Sequence, residues 1–543
     1  MAPSLPASGN RPGWLRIGAL ALTLAAGPAS AQDPLSAIDW LRENMVRPEA
    51  GAHPVTPSTG DAWLLGVITT RPIDATRPES VGLFSAARAG LPRSFWGTTA
   101  DTELLVLISA LPVDTLPALR DLSYRLLLAE FDAPHSPQPV SNGQEVNGMQ
   151  AGPRSADFMA ARIDKLMDFG AIDQAAALLD TLDPDDSELR LRRFEIALLL
   201  EQEQSACASV RDTARPFRFE PAVIFCQARQ GDWAGAQEAL ERAMQAGTLG
   251  PVYGPLLERF LDADDHLHNG DGALDTILPP RLSPLAWRLL EAIGAPVATH
   301  GLPVAFAHAD LRGTIGWRAQ LEAAERLVRS GALPPNHLLG LYTERSAAAS
   351  GGIWERVRAV QRLERALAGG DAEAIGAALL DTWPQIVEGE LEVAFASLYA
   401  EALLEAGLSG AALEQAVIAG LLTDNYEQVA LDHPGETAQS QFLATIARGM
   451  PPSEAMQSDE ALRDPLWAAV AEAFVNPPPV PEGAQARLVE GRVGEEVLLT
   501  LISLGRTSDP RVLTDGLATL RHIGLEDVAR RTALQSLLLE RRG

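Results

Sequence analysis

The stretch at 231–247, GDWAGAQEALERAMQAG, decides how this chain folds. Glycine reaches the left-handed backbone conformation that ends a helix without a Cβ clash, so Gly231 predicts a tight turn. Asp232 follows where a carboxylate can accept hydrogen bonds from the first amides of the next helix, beside the positive end of its dipole. Ala236, Ala239, Leu240 and Ala243 then give that helix a face of small and apolar groups that a neighbouring helix can approach closely. Related stretches follow Gly170 (GAIDQAAALLDTL), Gly370 (GDAEAIGAALLDTW) and Gly407 (GLSGAALEQAVIAG). One helical hairpin cannot cover its own apolar stripe, so units of this kind must stack.

The same periodicity runs outward in both directions. Phe158, Ile163, Leu166 and Met167 keep helical spacing before Gly170, and Ile172, Ala176, Leu179 and Leu182 resume it afterwards. Further pairs are expected at 284–293 with 303–309, 316–330 with 336–348, 353–368 with 371–383, and 391–406 with 410–421. The apolar content comes largely from Ala and Leu, both strong helix formers. GDWAGAQEALERAM resembles the turn and second helix of the tetratricopeptide-repeat family, with Trp233 at a position that usually takes an aromatic residue. Gly370 and Gly407 mark weaker copies. The resemblance implies an all-α fold: a right-handed superhelical stack of antiparallel helix pairs, a TPR-like α-solenoid with irregular connections.

The N-terminus predicts the compartment. Arg11 and Arg16 precede an apolar run at 17–26, and Ala29-Ser30-Ala31 offers small residues for cleavage after Ala31. The run is shorter than the roughly 20 residues needed to span a bilayer, so stable membrane insertion is not expected. Residues 1–31 therefore read as a signal peptide and the mature chain as periplasmic. Cleavage removes two arginines and no acid, moving the formal charge from -27 to -29. Such a chain repels nucleic acid and anionic membranes and favours neutral or basic partners. Lys165 is the only lysine, which excludes a phosphate-binding P-loop elsewhere. Cys207 and Cys226, nineteen positions apart, are a candidate disulfide clamping two antiparallel helices, worth about 3 kcal/mol on the chain-entropy model.

Residues 32–131 read as a mainly helical N-terminal region, with helices over 34–46, 101–110 and 115–131 and a short strand or buried loop at 63–69. Residues 132–156 read as a linker or mobile loop, 157–431 as the repeat domain and 432–475 as a helical extension. The proline-rich stretch 476–483 is a second linker, and 484–543 form a helical cap that closes the array or docks back on it.

Chemistry is sparsely signalled. Asp262, Asp264, Asp265, His266, His268 and Asp271 crowd one short stretch, but their spacing fits no established metal motif and reads as a solvated loop between helices. Asp183, Asp185 and Asp186 suit a helix start. No nucleophile elbow or dinucleotide-binding glycine turn is found, so no catalytic residue and no cofactor is assigned. The helical texture is similar to that of periplasmic lytic transglycosylases, yet no matching catalytic glutamate motif occurs, and Glu495 and Glu496 read as helix-surface residues. Trp317, Trp354, Trp383 and Trp467 are candidate anchors in or beside helices. Trp317 and Trp354, with Arg356, Arg358 and Arg362, form the candidate binding set; the arginines equally suit a solvated helix face. The expected function is an exported, non-enzymatic scaffold or adaptor binding an envelope protein or peptide. An envelope-polymer hydrolase and a structural oligomer subunit are the alternatives, and the sequence leaves the oligomeric state open.

Overall fold

The computed structural model describes residues 78–135, 155–182, 186–210, 216–262, 281–475 and 478–539. The expected signal segment 1–31, the stretches 34–46 and 63–69, most of the expected linker at 132–156, Asp183, Asp185, and the acidic stretch with Asp264, Asp265, His266, His268 and Asp271 lie outside them. The described residues are all-α apart from a two-residue parallel pair, β1 (Phe84–Ser85) with β2 (Ala129–Glu130), and one isolated bridge between Ala100 and His135.

Among the described residues, α1 (Asp101–Ala110) and α2 (Pro117–Leu128) come first. The next group is α3 (Ser155–Asp168), α4 (Ile172–Asp180), α5 (Ser187–Leu199), α6 (Glu203–Val210), α7 (Glu220–Arg229), α8 (Trp233–Ala246), α9 (Gly250–Leu261) and α10 (Pro284–Ala292). A 3-10 helix at Val304–Leu311 leads into α11 (Trp317–Arg329), α12 (Pro335–Glu344), α13 (Ile353–Gly369), α14 (Ala372–Glu388), α15 (Glu392–Glu405) and α16 (Gly410–Leu421). The chain continues through α17 (Tyr426–Asp432), α18 (Ala438–Ala447), α19 (Glu454–Gln457), α20 (Pro465–Ala473), α21 (Glu482–Val489), α22 (Val493–Leu504), α23 (Pro510–Ile523) and α24 (Glu526–Leu538).

Turn chemistry sets the hairpins. Gly170, Gly231, Gly370 and Gly407 have φ of +81°, +89°, +71° and +68°, where a side chain would be strained. Asp232 accepts the Gly235 amide at 3.0 Å, and Asp371 accepts the Ala374 amide at 2.9 Å, so both carboxylates cap the helix they precede. Ala236, Leu240 and Ala243 are buried and Ala239 is half-buried, whereas Trp233 stays 49% exposed with its ring 6.0 Å from Phe260. Successive helices pack on one another from α3 to α10 and from α11 to α18. The 3-10 helix at Val304–Leu311 ties the two runs together by touching α3, α5 and α11.

A disulfide joins Cys207 of α6 to Cys226 of α7, and both residues are buried. Replacing both cysteines by alanine is expected to lower the unfolding free energy by about 3 kcal/mol. Urea titration checks this, and dithiothreitol should shift the midpoint of the natural chain but not that of the double variant.

On the preceding helix α5, burial pushes the half-buried Glu195 carboxyl up to about 7, opposed by Arg192 and helped by Asp164. Its folded value lies above its unfolded one, so its favourable contribution is complete below about pH 4.5 and is lost as pH rises through about 7. Glu195→Gln should therefore stabilise the protein by up to about 3 kcal/mol at pH 8 and hardly at all at pH 4.5. Thermal melts at the two pH values read the difference.

The first and last described helices close on each other. Helix α1 packs on α3 and α22, and α2 packs on α3 and α24. The Gly494 amide donates to Phe95 O at 3.0 Å, and the Thr98 hydroxyl donates to Glu490 O at 3.0 Å. A Cβ on Gly97 would overlap the Gly491 carbonyl, and one on Gly494 would meet the Trp96 ring and Phe95 O, so backbone crosses backbone there. This overturns the surface reading of Glu495 and Glu496. Both are buried: Glu495 accepts from Arg492 and from Thr99, and Glu496 accepts from Arg487 and Thr500. The Thr99 partner of Glu495 lies 396 positions away in sequence, which local periodicity cannot register.

Helix α3 holds this closure with two cations. Lys165, the lone lysine, is buried and donates to Leu111 O, at the C-terminal end of α1, at 3.0 Å. Arg162, one turn earlier, donates to Leu127 O at 2.9 Å and Ala129 O at 3.2 Å, at the C-terminal end of α2. Both helices thus direct their negative ends at positive charge.

Candidate functional site

An open polar pocket of about 450 Å³ lies between α11 and the start of α13. Arg318, Glu322 and Glu325 of α11 form one wall, the connection 349–352 another, and Ile353, Trp354 and Arg356 of α13 the third. The connection turns at Gly351 and Gly352, with φ of +88° and +52°. No side chain caps the first turn of α13.

The floor is a buried ion pair. Arg356 Nε donates to Glu325 Oε1 and Nη2 to Oε2, each at 2.8 Å, and Nη1 donates to Gln385 O at 3.1 Å. The Tyr342 hydroxyl donates to Glu325 Oε1 at 2.7 Å. Burial, followed by the Glu325 charge, raises the Tyr342 pKa well above the ordinary phenol value, so it remains a donor. Burial opposes the charge on Arg356, but the bond to Glu325 and its charge outweigh this and hold the guanidinium above its usual value. The floor is thus charged yet internally neutral. At the rim, Arg318 Nε meets Glu322 Oε1 at 2.8 Å with both side chains largely exposed. Such a pair is worth under about 1 kcal/mol and readily exchanges partners.

The Tyr342 side chain, whose hydroxyl reaches Glu325, also lines a narrow apolar slot of about 20 Å³ with Leu338, Leu339, Val360, Ile386, Phe395 and Leu398, room for about one water-sized group.

The structure brings together only part of the expected binding set. Trp354 is half-buried and lines the pocket, with its ring 5.1 Å from that of Trp317. Trp317 is an interior residue rather than an exposed anchor: it is 8% exposed, and its indole donates to Leu341 O at 3.1 Å. Arg356 is buried in the floor and not on a solvated face. Arg358 is half-buried and braces the connection by donating to Ala349 O. Arg362 is exposed, pairs with Asp381 and does not line the pocket. Trp383 and Trp467 are half-buried, packed against Phe395 and Phe442.

Arg318, Glu322 and Glu325 escape the sequence reading. One signal does point to the last. Glu325 falls on the apolar stripe of Leu321, Ala324 and Val328, and Arg356 falls on that of Ile353, Val357 and Val360. Opposite charges on the buried faces of two nearby helices foretell an internal pair.

Both oxygens of Glu325 are committed to Arg356, and one of them also to Tyr342. Among the described residues, no group of three His, Cys, Asp or Glu side chains is placed to hold a metal ion, and no helix is long and apolar enough to cross a membrane. No family model, no curated protein and no solved structure matches this chain.

Proposed function

We propose that the chain is an exported, non-enzymatic scaffold or adaptor that binds a protein or peptide segment in the cell envelope. Its helix pairs wind as a right-handed superhelical, tetratricopeptide-like stack, and the pocket between α11 and α13 is its recognition site. The observation that carries this reading is the composition of that pocket. A rigid, internally neutral floor supports a half-buried tryptophan, while the Arg318–Glu322 rim is free to re-pair with a ligand. Aromatic anchors and arginines are the side chains most often responsible for binding energy at interfaces. The formal charge of -27 favours a neutral or basic partner. The locked state of Glu325 favours binding over hydrolysis of an envelope polymer.

A photo-crosslinking residue at Ser350, in the pocket wall, tests the reading in living cells. The expected result is a discrete adduct with an envelope polypeptide that disappears in Trp354→Ala and does not form from Arg242, on the exposed side of α8. Equal labelling from both positions, or release of soluble fragments from purified wall material by the mature protein, would sink it. Cell fractionation and N-terminal sequencing test export, with Gln32 expected as the first residue.

A further inference from the structure

Ten of the twelve residues of α2 are buried, yet much of what holds the helix is polar and comes from distant parts of the chain. Its first turn lacks a cap of its own; instead the Ala118 amide donates to Gln535 Oε1 of α24 at 2.8 Å. Arg162 of α3 takes the carbonyls at its other end. Along its side, the Tyr124 hydroxyl donates to Ser330 O at 2.9 Å and Arg120 donates to Arg329 O, just where α11 ends. Asp121 faces Arg531 of α24 at 3.1 Å, and Arg531 also reaches Asp424 at 3.4 Å. One helix is therefore read at both ends and along one flank by the start, middle and end of the array. This is how a helical ligand is held in a groove, with polar groups fixing register and apolar side chains supplying contact area.

We propose that α2 is the array's own helical ligand: residues 78–135 form a strap whose release exposes a groove for one amphipathic helix of a partner protein carrying a comparable leucine face and arginine flank. The partner in this second step rests on the scaffold reading; the strap itself does not. The crossing at Gly97, Gly491 and Gly494 is the buckle, because it is the place where the strap meets the C-terminal helices backbone to backbone.

Hydrogen exchange on the full mature chain tests the strap. In Gly494→Val, which wedges the buckle, and in Gln535→Ala, which removes the α2 cap, the α2 amides should exchange at least tenfold faster than in the natural chain while α13 to α16 keep their rates. A fluorescent peptide of residues 115–131 should bind both variants at least tenfold more tightly than the natural chain. If α2 and α13 to α16 lose protection together, or if the peptide binds no better, α2 is fixed core and the proposal is overturned. Should Gly494→Val fail to fold, Gln535→Ala decides the matter alone. Crosslinking from Ser350 is independent of both results, so failure of the strap and failure of the scaffold reading remain distinguishable.

Discussion

Replacing Arg356 by methionine is expected to lower the unfolding free energy by about 3–5 kcal/mol, because it strands the buried Glu325 carboxylate without its counter-charge. The geometry argues for the upper part of that range. Glu325 loses two charge-assisted bonds of 2.8 Å and retains only the Tyr342 hydroxyl, while Gln385 O loses a third donor. The double variant Glu325→Gln, Arg356→Met should recover much of the loss, since removing both charges removes the desolvation penalty as well. A double-mutant cycle by urea titration should show a coupling of at least about 2 kcal/mol. A coupling near zero would mean that the pair is solvated and that the pocket has no rigid floor.

This pair also marks the limit of what the sequence makes legible. Turns and helices are local, and the residues that create them are adjacent: Gly231 and Asp232, or Gly370 and Asp371, announce both the end of one helix and the start of the next. The Cys207–Cys226 pairing is legible for the same reason, since its helices follow one another. Glu325 and Arg356 are harder, because each must first be placed on the stripe of its own helix before their meeting can be inferred. The strap is not legible at all by these means. Nothing near Gly97 specifies Gly491, and nothing near Lys165 specifies Leu111. A lone lysine in a chain with 43 arginines reads as composition, whereas in the fold it is buried at the end of α1, also 3.2 Å from Asp168. Binding residues suffer in the same way: Trp317 and Trp354 have equal claims in sequence, and only stacking decides that one fills the interior and the other lines a pocket.

Arg162→Met is the second substitution with a large expected effect, a loss of about 3–5 kcal/mol centred on the strap. Arg162 is 2% exposed, and it donates to Val81 O at 2.7 Å as well as to Leu127 O and Ala129 O. Burial pushes its guanidinium down to about 10, so it remains charged at neutral pH. Methionine fills a similar volume but leaves those carbonyls without their donor, each bond to a charged group being worth about 1.5–3 kcal/mol and the set adding less than its sum. Lysine should rescue only part of the loss, because a single ammonium lacks the planar fork that reaches carbonyls on β2, on α2 and beside Val81 together. High salt should change the effect little, since Arg162 is held by buried carbonyls rather than by an exposed counter-charge. Urea titration gives the magnitude, and limited proteolysis gives the place: the variant should be cut first within 78–135 while the array from α5 to α16 survives. Uniform cleavage along the chain would instead show that the strap and the array unfold as one unit, with Arg162 holding the whole fold rather than its closure.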